Sequence, residues 1–187
     1  MTAAWVLRDG PNISGSEFDS RINILRKVAC PITLPVYNWY INSWCTDPDK
    51  TTKIFASMLE DRVAPSYWTF VLLAKSRANS NDIKGLCMFI ACAEACGFDV
   101  TNLETTLAVP LWERLKAQQT GNDDCSGDSF EEFINGFIRN EKVLELARHC
   151  AKLVEMRIEG PESRRVALET LREVNFFPND ALYKDFL

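Results

Sequence analysis

Histidine is nearly absent from this chain: His149 is the only one in 187 residues. Glycine-rich phosphate loops, paired metal motifs and nucleophile elbows are missing as well. Nucleophilic catalysis needs a base within hydrogen-bond reach of its partner, so these gaps weigh against an enzyme. There is no basic excess. Lys and Arg number 21 against 26 Asp and Glu, a net charge of −5. Bulk charge therefore offers nucleic acid no attraction, and any binding has to come from a local cluster of cations. No apolar run approaches the ~20 residues that span a bilayer. The N-terminus lacks the basic start and apolar core of a secretory signal, so neither a membrane partner nor export is expected.

What is present suits a packed interior: 47 % of residues are hydrophobic and 11 % aromatic. The seven cysteines are Cys30, Cys45, Cys87, Cys92, Cys96, Cys125 and Cys150. Their number is odd and most fall inside apolar segments. They read as reduced, small hydrophobic side chains in a cytoplasmic setting rather than a disulfide framework.

The pattern along the chain predicts an all-α domain of about eight or nine helices. Residues 1–15 form an extended N-terminal arm around Trp5, Val6 and Leu7. A first helix is expected from Ser16, with Asp19 three residues on as a capping box and Phe18, Ile22 and Leu25 as its stripe, ended by Pro31. Pro35 suits the first turn of a second helix, with Val36, Trp39, Tyr40 and Ser43 or Trp44 on one face. Asp47-Pro48 starts a third, carrying Ile54, Phe55, Met58 and Leu59. Ser66 caps a fourth that is apolar almost all round. Asn79-Ser80-Asn81-Asp82 opens a fifth that ends at Gly97, with small residues from Ala91 to Cys96. Both belong at the centre.

Thr101 and Glu104 suggest another capping box, and Pro110 predicts a kink, or a first helix ending near Ala108 with a new one starting at Pro110. Residues 119–129 form the clear loop, dividing an apolar part, 16–118, from a charged part, 130–187, that shares its core. That second part holds a helix around Phe133 and Ile134, a long helix from Glu141 to Ile158, another after Pro161, and a short C-terminal hook.

Four constellations merit weighing as sites. Cys92 and Cys96 share a helix face and match the i, i+4 spacing of two metal ligands. A full set would need His149 and Cys150 as well, so helix packing is the better reading, and no cofactor is expected. Adjacent His149 and Cys150 diverge by about 100° on a helix and cannot easily pair; His149 reads as a partly exposed structural residue. The acidic loop around Gly127 fails as a calcium site, because Phe133 stands where the bidentate Glu belongs. Arginines are the fourth. Arg148, Lys152, Arg164 and Arg165 read either as part of an ion-paired helix surface or as a groove for nucleic-acid phosphates. Tyr67, Trp68 and Trp112 are candidates to stack on bases, though core positions suit them better.

Large apolar side chains near both ends, Trp5, Leu7, Phe177, Tyr183, Phe186 and Leu187, suggest docking either on the same domain or on other copies of the chain. The segment Arg62-Val63-Ala64-Pro65-Ser66-Tyr67-Trp68 resembles a stretch of the coat proteins of flexible filamentous plant viruses. That resemblance covers seven residues, and the Arg-aromatic-Ala-x-Phe-Asp signature of those coats is not visible. The expectation is a non-enzymatic, self-assembling coat or nucleocapsid-type subunit that binds single-stranded RNA and, in a virion, copies of itself. The alternatives are a helical adaptor holding a partner protein in a groove, and an enzyme whose site the sequence does not reveal.

Overall fold

Helices begin here where the chain supplies an acceptor for the orphan N–H groups of a first turn. In the computed structural model, which describes residues 13–118 and 129–159, the hydroxyl of Ser14 accepts from Glu17 N at 3.3 Å. This opens α1 (Gly15–Lys27). The cap thus lies two residues before the expected Ser16, and Asp19 is freed for another role. Thr33 precedes α2 (Leu34–Ser43), with Pro35 in its first turn. Asp47 caps α3 (Pro48–Glu60) through Lys50 N at 2.9 Å. Ser66 and Thr69 form a reciprocal box at α4 (Tyr67–Asn79). Asp82 caps α5 (Ile83–Ala95) through Gly85 N at 2.8 Å.

Pro110 has no N–H and its ring would strike the carbonyl four residues back. The backbone answers with a five-residue π-helical stretch, Glu104–Ala108, before α6 (Val109–Gln118). The new start falls one residue ahead of Pro110. The expected Thr101 box is not formed: Thr101 N instead donates to Asp99 at 3.0 Å. Beyond the loop, Ser129 caps α7 (Phe130–Ile138) through Glu132 N at 3.2 Å, and α8 (Glu141–Glu159) is the longest helix described. These eight helices, with no strand among the described residues, make the chain all-α.

Four helices end in the same way. After α1, α3, α4 and α5 the next-but-one residue turns to positive φ: Ala29 at 51°, Arg62 at 60°, Asn81 at 59° and Gly97 at 80°. Each turn closes with a paired bond back to the helix, as Val63 N to Met58 O (2.9 Å) and Arg62 N to Leu59 O (3.0 Å) illustrate. So α1 stops at Lys27 because Ala29 reverses the chain, two residues before Pro31. Gly and Asn suit this conformation; Ala and Arg do not. Ala29→Gly and Arg62→Gly should each raise stability by about 0.5–1 kcal/mol in urea unfolding, and a loss would show that the side chains contribute more than the backbone strain costs.

The core centres on α4 and α5, which pack most extensively, with α8 laid along α5. Phe55 of α3 meets Phe70 of α4 and Phe89 of α5 edge-on, at centroid distances of 6.1 and 5.7 Å. Ala91, Cys92 and Ala93 supply the close approach that small side chains promised. Phe133, Ile134, Ala147, Cys150 and Leu153 join the same apolar cluster, so α7 and α8 share the core of the first six helices. On α2 the expected Val36 and Tyr40 are buried, joined by Tyr37 and Ile41, while Trp39, Ser43 and Trp44 are half-buried. Gly15 is required where it stands. A Cβ there would lie 2.4 Å from the Trp44 ring.

Candidate functional site

Three helices enclose a polar cleft of about 320 Å³. From α1 come Asp19, Asn23 and Arg26, one face at helical spacing. From α3 come Lys50, Lys53, Ile54 and Ser57, again one face, and α2 contributes Tyr40. Three cations thus line the cleft with one carboxylate. Bulk composition hides this: an acidic chain has gathered a local positive patch by folding.

The patch is held by tyrosine–aspartate contacts. Tyr40 stacks on Phe18, with centroids 5.5 Å apart, and donates its hydroxyl to Asp19 Oδ1. Lys50 Nζ reaches the same oxygen at 3.2 Å and lies 5.2 Å from the Trp44 ring centre. Behind the cleft, Tyr37 donates to Asp61 Oδ2 and to the Ser57 carbonyl, the latter at 3.2 Å. Burial, then the neighbouring carboxylate, pushes both tyrosine hydroxyls well above their usual range. They therefore stay protonated and act as donors. Arg26 stands 3.9 Å from Asp61, at the outer limit of an ion pair, and remains half exposed. Lys53 has no ion-pair partner among the described residues. Arg26 and Lys53 are thus the cations most available to an anion.

The residues singled out from sequence are placed differently. Arg148 and Lys152 are exposed, one turn apart on the outer side of α8, whose inner side holds Val143, Ala147, Cys150 and Leu153. Glu145 and Glu155 flank them at helical spacing, so the stripe carries mixed charge, yet no ion pair joins these four. Arg164, Arg165, Trp5, Leu7, Phe177, Tyr183, Phe186 and Leu187 lie outside the described residues, as do the arm up to residue 12, the loop 119–128 and the hook. Of the three aromatic candidates, Trp112 is buried against Phe130 and Tyr67 is half-buried against Phe98. Trp68 is the exception, 53 % exposed with Lys75 over its ring.

His149 is buried, at 5 % exposure, rather than partly exposed. Burial, with Lys152 nearby, lowers its pKa to about 4. Cys92 and Cys150 meet in the α5–α8 interface, both fully buried, and Cys150 is pushed well above the thiol range by its hydrogen bond to Cys92 and by burial. Burial also raises Cys87 and Cys96 to about 12. Protonated thiols are poor nucleophiles and poor metal ligands. Among the described residues, no group of three or more Cys, His, Asp or Glu side chains is arranged to hold a metal ion. No described helix is long and apolar enough to cross a membrane.

Sequence reading missed the cleft because half of it was assigned elsewhere. By spacing Asp19 suits a capping box, and Lys50 and Lys53 belong to no motif. The i, i+4, i+7 row of Asp19, Asn23 and Arg26 was legible; that α3 would face it was not. No family model, curated protein or solved structure matches the chain.

Proposed function

We propose that this protein is a non-enzymatic, self-assembling subunit of the coat or nucleocapsid type that binds single-stranded RNA through its phosphates. The cleft between α1 and α3 carries this reading: Arg26, Lys50 and Lys53 line it against one carboxylate in a chain of net charge −5. Arginine forks and lysine ammonium groups match phosphate oxygens, and contact with a backbone needs no base readout. Arg148 and Lys152, exposed on α8, and Arg164 and Arg165 of the sequence are proposed as further phosphate contacts. Protonated, buried thiols and a neutral, buried His149 support a binding rather than a catalytic role. The apolar residues near the two ends, Trp5, Leu7, Phe177, Tyr183, Phe186 and Leu187, are the proposed links between copies.

Salt tests the phosphate contact. With Arg26 and Lys53 engaged, the affinity for an oligo(rU) strand should fall about sevenfold between 50 and 200 mM salt, a log–log slope near −1.4. Lys53→Ala should weaken binding and flatten the slope by about 0.7 while leaving helicity unchanged. Salt-independent binding would refute phosphate contacts. Light scattering across concentration tests assembly. Large particles that shrink on deletion of residues 1–12 or 178–187 support it, and particles indifferent to both deletions rule out the end-mediated links.

One observation favours a second reading, an adaptor for a partner protein. Trp68, Ile24 and Val28 are large apolar side chains left 53 %, 45 % and 51 % exposed. Surface apolar residues of this size are common at protein interfaces. An adaptor would stay monomeric or dimeric, bind no RNA, and need its partner to form larger species.

A further inference from the structure

We propose that Asp19 makes the cleft selective for RNA over DNA by accepting the 2′-hydroxyl of a bound nucleotide. The inference rests on the phosphate-binding reading above and deepens it. A carboxylate in a phosphate site repels the ligand and weakens binding unless it serves another purpose. Asp19 has a structural purpose, but that purpose uses one oxygen. Oδ1 takes both the Tyr40 hydroxyl and the Lys50 ammonium. No hydrogen bond from the described residues reaches Oδ2, in a side chain that is 28 % exposed and lines the cleft.

A carboxylate oxygen only accepts, so Oδ2 calls for a donor. A phosphate diester brings none. The ribose beside it does, and the 2′-hydroxyl is the group that separates RNA from DNA. Hydrogen bonds to a charged acceptor are the stronger kind, and an acceptor already held by Tyr40 and Lys50 loses little freedom on binding. Arg26 and Lys53 then take the phosphate on the sugar's 5′ or 3′ side. A deoxyribose would leave Oδ2 facing the same phosphates with repulsion and no compensating bond.

The test uses the full chain and three 12-mers of uracil at 50 mM salt: the ribo form, the deoxy form and the 2′-O-methyl form, read by fluorescence anisotropy. The ribo strand should bind about tenfold more tightly than either other strand, since both lack the hydroxyl donor. In Asp19→Ala the ribo and deoxy affinities should converge to within twofold, the deoxy strand gaining as the repulsion is removed. The 2′-O-methyl arm needs no mutation, so it decides the matter even if Asp19→Ala fails to fold. Equal binding of the ribo and 2′-O-methyl strands overturns the inference, as does a preference that survives in Asp19→Ala. Tight, salt-sensitive binding of all three strands alike would sink this inference and keep the phosphate reading. Binding of none would sink both.

Discussion

Lowering the pH from 7 to 4 should cost this fold about 3 kcal/mol through His149 alone. The side chain is 5 % exposed in the α5–α8 region, and burial, with Lys152 adding like charge, lowers its pKa to about 4. In the unfolded chain the same imidazole titrates near 6.5. Between these values the unfolded state binds the extra proton, so stability is full above about pH 6.5. It is lost progressively as the pH falls through 4, below which this group adds nothing further. Carboxylates titrate in the lower part of that window, so the comparison must be made against a variant. Urea unfolding of the protein and of His149→Gln at pH 7, 5.5 and 4 separates the two contributions. The parent should lose about 3 kcal/mol more than the variant. Parallel losses would mean that the imidazole reaches water in the folded state.

Arg77→Ala should destabilise the protein by about 3 kcal/mol, because one guanidinium ties three helices together. Arg77 Nη1 pairs with Asp82, the cap of α5, at 2.7 Å. Its Nη2 donates to Thr52 and to the Pro48 carbonyl in the first turn of α3, the latter at 3.3 Å. The same group lies 5.9 Å from the centre of Phe89 in the core, and only 14 % of the side chain is exposed. Truncation removes the charge partner of Asp82 Oδ2 and the tie from α4 to α3, while Asp82 keeps Gly85 N and the Pro48 carbonyl keeps the Thr51 and Thr52 hydroxyls. The backbone is shaped to this side chain: a Cβ on Gly85 would stand 2.7 Å from Arg77 Cδ and 2.3 Å from Asp82 Oδ2. Arg77→Lys should recover less than half the loss, since an ammonium cannot serve Asp82 and α3 with a planar fork. A loss below 1 kcal/mol for Arg77→Ala would show that water replaces those contacts.

Helix number and most boundaries were legible because caps and stops are local chemistry. Asp47-Pro48, Ser66, Asp82 and Gly97 each satisfy or terminate backbone groups within a few residues, whatever the rest of the chain does. Errors arose where two local readings competed. The first cap falls on Ser14, whose hydroxyl takes Glu17 N, where the spacing pointed to Ser16 with Asp19. Ala29 and Arg62 took a left-handed conformation that neither side chain advertises, because the turn geometry outweighed residue preference. On α2, Tyr37 and Ile41 are buried beside the expected Val36 and Tyr40, in place of Trp39 and Ser43 or Trp44, since contacts on two sides, from α3 and α4, selected the face.

The amino-acid sequence by itself determined that this is a helical protein with a core built on its fourth and fifth helices and too acidic a charge for unaided attraction to nucleic acid. Periodicity, capping and composition are properties of neighbours in the chain, and they suffice for that much. Only tertiary structure decided which charges meet. Asp19 and Lys50 lie 31 residues apart in sequence, and their 3.2 Å contact exists because α1 and α3 fold against α2. Electrostatic fields depend on distance in space, so the cationic cleft, the buried His149 and the Arg77 hub could be assembled only by packing.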